Sequence, residues 1–176
     1  MNLSLTRAII RPYSDNDVES LATRINNKNV AANLLLVPHP YTMSDAQSFI
    51  GRCIGDSECT NFAIADDTGV IGGIGLRRAV PGFMDVQKHV AEIGYWLAQE
   101  YWGRGIATEA VVAFTQWGFG ALGLRRIWAA VFARNTASAR VLEKAGYEYE
   151  GRERARYFRD GAFMDGVRYA HVRLPD

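Results

Sequence analysis

The stretch Tyr101-Trp102-Gly103-Arg104-Gly105-Ile106-Ala107-Thr108-Glu109-Ala110 has the make-up of an anion cradle. Two glycines at the mouth of a helix let the backbone approach a ligand with no Cβ in the way. The unpaired N–H groups of the first helical turn then face that ligand, and the helix dipole favours negative charge there. Such a site binds phosphates. Just upstream runs a strand-like segment, Val90-Ala91-Glu92-Ile93-Gly94-Tyr95-Trp96-Leu97. Its one acid, Glu92, points with Gly94 and Trp96 and opposite Ala91, Ile93 and Tyr95 if the strand alternates. Apolar surroundings would raise a glutamate from about 4.3 toward the range of a working base.

These groups need elements to hold them, and the chain supplies an α/β order. Leu5 to Arg11 reads as a strand stopped at Pro12. Ser14 with Asp17 resembles a capping box opening a helix that carries Val18, Leu21, Ala22 and Ile25 on one face. Asn26-Asn27-Lys28-Asn29 breaks that helix, and Pro38-His39-Pro40 marks a loop. A second helix is expected from Ser44, with Gln47 as capping partner. Phe62–Ala65 and Val70–Leu76 read as strands joined by Asp66-Asp67-Thr68-Gly69. A connection around Pro81-Gly82 leads to the Val90–Leu97 strand and a helix from about Gly105 to Leu122. Arg126–Ala133 is the next strand. Asn135 or Thr136 caps a helix through Lys144, closed by Gly146. Arg154–Phe158 and Val167–Leu174 are the last strands, with Asp160-Gly161 between them.

Bulk properties narrow the class. At 176 residues with 48% apolar and 22% charged, the chain is expected to form one domain over residues 1–176. A net charge of +1 gives no argument for a nucleic-acid or membrane surface. The arginines 152, 154, 156 and 159 are interleaved with Glu150, Glu153 and Asp160, as on a solvated strand face. Cys53 and Cys59 have neither zinc-ligand spacing nor the number of a disulfide framework, so reduced thiols and no metal are expected. No apolar run approaches the roughly 20 residues that span a bilayer, and Met1-Asn2-Leu3-Ser4 lacks a signal-peptide pattern. A cytoplasmic location is the expectation.

The kind of phosphate ligand needs more. Gly118-Phe119-Gly120-Ala121-Leu122-Gly123 spells a dinucleotide fingerprint, but it ends a helix and precedes a strand, the reverse of what that motif requires. No P-loop pattern exists. Gly72-Gly73-Ile74-Gly75 lies inside a strand pattern, where a bulge or close packing explains it. The segment Ala91–Leu97 followed by Tyr101–Ala110 resembles the strand and pyrophosphate loop of the GNAT N-acetyltransferases. Asn135-Thr136-Ala137-Ser138-Ala139-Arg140-Val141-Leu142-Glu143-Lys144-Ala145-Gly146-Tyr147 is similar to that family's following helix. Within the family, Arg7-Ala8-Ile9-Ile10-Arg11-Pro12 and Pro38-His39-Pro40-Tyr41 suit the RimJ/RimL-type branch, which acetylates protein N-termini.

The resemblance covers essentially the whole chain. It implies a mixed, mainly antiparallel sheet with a splayed central strand pair, flanked by helices. Acetyl-CoA would be the cosubstrate and a primary amine the acceptor, with no nucleic acid or membrane involved, in a monomer or homodimer. Main-chain groups near Trp96 and Leu97 would pair with the pantetheine arm. The backbone of Trp102, Gly103, Arg104, Gly105, Ile106, Ala107 and Thr108 would hold the pyrophosphate, and Asn135 and Ser138 would face the thioester. Trp102 stands where the family loop carries Arg or Gln, which removes one side-chain contact and leaves the backbone cradle.

Glu92 is the candidate base, directly or through water. Two other family roles are absent, because Leu142 and Ala130 occupy the positions of a Tyr acid and a Glu base. Ser138 remains as the group near the sulfur, although a serine in a first helical turn can also be only a local cap. His39 and Tyr41 are candidates for the acceptor slot; His89 and His171 are given no role. An α-amine is the expected acceptor. A polyamine, amino acid or antibiotic amine is the alternative, and an acyl-CoA sensor without turnover is the third reading.

Overall fold

The computed structural model describes residues 1–56, 58–78, 88–159 and 161–174. The expected connection at Pro81-Gly82 and Asp160 of the last turn lie outside these residues. Eight strands form one sheet in the order β1-β2-β3-β4-β5-β6-β8-β7. They are β1 (Leu3–Ser4), β2 (Ile9–Arg11), β3 (Asn61–Asp66), β4 (Gly69–Arg78), β5 (Val90–Leu97), β6 (Arg126–Phe132), β7 (Glu148–Arg159) and β8 (Ala162–Val172). The five helices are α1 (Val18–Ile25), α2 (Lys28–Ala31), α3 (Met43–Gly55), α4 (Ile106–Ala121) and α5 (Thr136–Lys144). This is the mixed, mainly antiparallel α/β fold expected. By its internal contacts the chain divides into two compact units, residues 1–75 with 95–110, and residues 76–94 with 111–176.

In the first unit the opening strand is shorter than the apolar run suggested. The Leu5 N–H donates to the Ala8 carbonyl at 2.9 Å, a local turn that splits the run into β1 and β2. Arg11 then makes two bonds of 2.7 Å to the carboxylate of Asp17, which also accepts the Ser14 N–H at 2.8 Å. That arrangement, with a single 3-10 turn at Asp15–Asp17, starts α1 where Ser14 and Asp17 predicted. The asparagine run does stop α1, and Asn27 also starts α2, its side chain accepting the Asn29 N–H at 2.8 Å. Helix α3 is capped by Thr42 rather than Ser44, because Asp45 three residues on returns a bond of 2.8 Å to the Thr42 N–H. Tyr13, Leu21, Ala22, Ile25, Val30, Tyr41, Ala46, Ile50, Ala63 and Val70 form the core, with Phe49, Cys53 and Trp96 packed on it.

Glycines in β4 let that core close. A Cβ on Gly72 would stand 2.5 Å from the carbonyl oxygen of Trp96, so only glycine admits the chain there. The Ala98 N–H donates to the Ile71 carbonyl alongside, at 2.8 Å.

In the second unit Val111, Phe114 and Phe119 of α4, Leu124, and Ile127 of β6 are buried. Thr115 and Tyr147 satisfy each other's hydroxyls at 2.7 Å inside it. Strands β7 and β8 run further than their apolar alternation indicated. Their register shifts between Tyr149 and Gly151 and again between Glu153 and Tyr157, and each shift breaks the period of two. Ala155 adopts φ +49 at the second shift, and its N–H is held at 2.8 Å by Asp165.

The parallel pair β5–β6 is laddered at Val90↔Arg126, Ala91↔Ile127 and Glu92↔Trp128. The register stops there, while β5 continues to Leu97 and β6 to Phe132. This is the splayed central pair.

Asp17 is 3% exposed. Burial alone would raise its carboxyl, but the Arg11 and Ser14 bonds outweigh that and hold it below the usual value. A depressed folded value contributes stability above the unfolded value of about 3.9 and loses it as pH falls through the folded one. Asp17→Asn should therefore cost about 1.5–3 kcal/mol at pH 7. That deficit should shrink below about pH 4, as read by denaturant unfolding at both pH values.

Candidate active site

Residues 102–105 are exposed and Ile106 is buried, so the loop is presented to solvent on an anchored helix start. A 3-10 turn at Gln99–Tyr101 swings the chain out of β5, tied by Tyr101 N–H to Ala98 carbonyl at 3.0 Å and Trp102 N–H to Gln99 carbonyl at 3.1 Å. Gly103 and Gly105 have φ of +75 and +80, and a Cβ on either would meet no atom within 4 Å. The left-handed backbone demands glycine at both, and the space above them is open. At the start of α4, the N–H groups of Ile106, Ala107 and Thr108 belong to the turn that has no intrahelical acceptors. Together they present donors and the positive end of a dipole to an anion.

Side-chain contacts hold this loop. The Trp102 indole N–H donates to the Leu97 carbonyl at 2.7 Å, folding the loop back on the strand it left. The Tyr101 hydroxyl donates to Asp66 at 2.8 Å. Its ring carries Arg24 at 5.5 Å and Arg104 at 5.4 Å from its centroid. Glu109, the acid of the first turn, is engaged by Thr6 through its N–H at 2.7 Å and its hydroxyl at 2.8 Å. Thus Trp96, Leu97 and residues 102–108 lie together in the first unit. Tyr41 is 8% exposed in that unit's core, its N–H bonded to Asn26 at 3.0 Å, while His39 is exposed.

In the second unit Glu92 is half-buried between the buried Ala91 and Ile93, on the strand face that alternation assigned to it. Its surroundings differ from the apolar ones expected. The Arg77 guanidinium pairs with its carboxylate, Arg156 feels its charge, and its ladder neighbour Trp128 carries Arg168 at 4.7 Å and Arg156 at 6.0 Å. Asn135 caps α5, its side-chain oxygen accepting the Ser138 N–H at 3.1 Å. Both residues are half-buried. Arg77 was not picked out from sequence; a strand-end arginine carries no spacing signal that would have found it. Cys53 and Cys59 are free thiols, as expected. Among the described residues no cluster of His, Cys, Asp and Glu could hold a metal ion.

Comparison with known proteins decides the family. The Acetyltransferase (GNAT) domain matches residues 7–148. The chain belongs to the GNAT acetyltransferases. It is 32% identical to the uncharacterized N-acetyltransferase YoaA of Bacillus subtilis, over 97% of this chain and 96% of that one. Its fold superimposes on a GNAT-family acetyltransferase from Bacillus anthracis with a TM-score of 0.85 at 25% identity, covering 98% of each chain. It also shares the fold of RimL, a ribosomal L7/L12 alpha-N-protein acetyltransferase solved with coenzyme A. There the TM-score is 0.83 at 19% identity, with 98% of each chain covered. This GNAT chain is thus an acetyl-CoA-dependent N-acetyltransferase.

If the 102–108 loop carries the pyrophosphate, a side chain at Gly105 stands in the ligand's way. Gly105→Val should weaken CoA binding at least tenfold by calorimetry, while the left-handed strain costs only about 1–2 kcal/mol of folding stability. Unchanged affinity would remove the loop from the cofactor site.

Proposed function

We propose that this enzyme moves acetyl from acetyl-CoA to the α-amine of a protein N-terminus, by direct attack within a ternary complex. The observation that carries the choice of acceptor is the commitment of Glu92 to Arg77. A lysine-type amine, with pKa about 10.4, is neutral in roughly one molecule in a few thousand at pH 7 and needs a strong base. An α-amine at about 7.7–8.0 is neutral roughly a tenth of the time. A carboxylate shared with a guanidinium suits the second task. In this reading Glu92 takes the amine proton directly or through one water, and Ser138 stands near the departing thiolate. With a thiol pKa of about 8.5, that leaving group asks little of an acid.

A polyamine acceptor would want an acid-lined slot. Of the acids in the N-terminal half, Asp17 holds Arg11 and Ser14, Asp45 caps α3 and Asp56 accepts the Glu58 N–H at 2.8 Å, while Asp15 and Glu19 are exposed. That supports the α-amine reading over the small-amine one. The loop backbone and the Trp96–Leu97 main chain are the cofactor contacts in this proposal, Asn135 lies toward the thioester, and Tyr41 and His39 lie toward the acceptor. We place the enzyme in the cytoplasm as one domain over residues 1–176, a monomer or homodimer. No helix among the described residues is long and apolar enough to cross a membrane.

Incubation with isotope-labelled acetyl-CoA and cell extract, followed by separate mass spectrometry of proteins and metabolites, tests the acceptor. Label is expected on protein N-termini; label on a small amine overturns that choice, and label in neither fraction with acetyl-CoA bound points to a sensor. Glu92→Gln should lower kcat roughly a hundredfold, and most at low pH where more of the amine is charged. A loss that is flat across pH would make Glu92 structural.

A further inference from the structure

The arginines of β7 do not all lie on a solvated strand face. Between Glu153↔Gly166 and Tyr157↔Met164, residues 154–156 of β7 face Asp165 alone. Ala155, in the middle, has φ +49, the only positive φ outside glycine among the described residues. Asp165 secures that turn by accepting the Ala155 N–H at 2.8 Å, and Arg152 donates to Asp165 at 2.8 Å. A bulge of this kind re-aims side chains, and a backbone held in an unfavoured region is a feature that clusters at functional sites. Arg156 is the side chain it turns back over the sheet. Gly166 leaves it room, since a Cβ there would lie 2.8 Å from the Arg156 Cδ.

Arg156 reaches across β8 to β6, its guanidinium 6.0 Å from the Trp128 ring centroid, where Arg168 of β8 lies at 4.7 Å. Trp128 is the ladder partner of Glu92. The two guanidiniums share one carboxylate. Arg168 donates to Glu153 Oε1 at 2.5 Å, and Arg156 lies 2.6 Å from Oε2. The second contact is an ion pair without hydrogen-bond alignment, so Glu153 Oε2 and Arg156 Nε have no bonded partner. Arg77 and Glu92 offset each other, as do Arg126 and Glu150. Among these groups one positive charge is left over, with guanidinium donors to spare.

The patch is open to solvent. The side chains of Arg156, Arg168 and Glu92 are 26%, 34% and 19% exposed. On the Glu92 face of β5, a Cβ at Gly94 would meet no atom within 4 Å, so there is room beside the carboxylate. A planar fork with spare donors suits a carboxylate, and the surplus charge repels a polycation. All of these residues belong to the second compact unit.

Resting on the α-amine reading above, we propose that Arg156 and Arg168, ranged over Trp128, bind a carboxylate carried by the acceptor and so select acidic α-amines. The carboxylate comes from an Asp or Glu among the first residues of a peptide, or from a free amino acid's own carboxyl group. Both arginines are specificity residues that touch no reacting atom.

The test uses the full chain with acetyl-CoA and follows thiol release. The acceptors are two peptide amides, Asp-Asp-Ala-Ala and Asn-Asn-Ala-Ala, with L-alanine, L-alaninamide and spermidine. Counted per neutral amine, the charged member of at least one pair should exceed its neutral partner about tenfold in kcat/KM, and the pair that shows it identifies the source of the carboxylate. Arg156→Gln should remove most of that advantage, through the acceptor KM. Glu153→Gln takes away the competing carboxylate and should widen the advantage about threefold. A loss in one variant and a gain in the other separate charge recognition from a damaged fold. Equal kcat/KM within both pairs, an advantage that Arg156→Gln leaves intact, or no gain in Glu153→Gln overturns the inference and leaves α-amine acetylation standing. If none of the α-amines is acetylated, the α-amine reading falls and the inference with it.

Discussion

A strand inside a sheet must hydrogen-bond on both edges or find another partner for the groups it leaves. Strand β5 gives up its parallel neighbour after Glu92↔Trp128 and still runs on to Leu97. The chain meets that obligation locally. The Leu97 carbonyl accepts the Trp102 indole N–H, and the Ala98 N–H donates to the Ile71 carbonyl. The glycine loop leaves the strand one tight turn further on, through Gln99–Tyr101.

The same segment explains why the loop tolerates its unusual first residue. Trp102 uses its one donor on the chain's own backbone. Arg104 and Arg24 each lie over the Tyr101 ring. Tyr101 is in turn fixed through Asp66, whose carboxyl burial would raise but the Thr68 and Tyr101 bonds hold down.

What could be read from the sequence had local causes. The glycine loop, the Ser14–Asp17 start of α1 and the Asn135 cap each rest on residues within a few positions of one another. The glycines at 72 and 73 announced close packing for the same reason: a missing Cβ is visible without a partner. Features set by distant residues were not legible. The Arg77–Glu92 pair joins positions on two strands, with no spacing rule to reveal it, and it replaces the apolar environment that alternation alone had suggested for Glu92. The full extent of β7 was hidden because two bulges reset its period, and the Leu5–Ala8 turn shortened a run whose composition was that of a strand.

The absent side chain at Gly73 also bears on how this molecule can change over time. Tyr13, Gly73 and Trp96 come from three separate stretches of sequence, yet they meet within a single side chain's width. A lineage that gained even a methyl group at position 73 would have to shrink or turn the residue at 13 or 96 in the same period. The three positions therefore limit one another's size, and a change at one is a change in the room left for the other two.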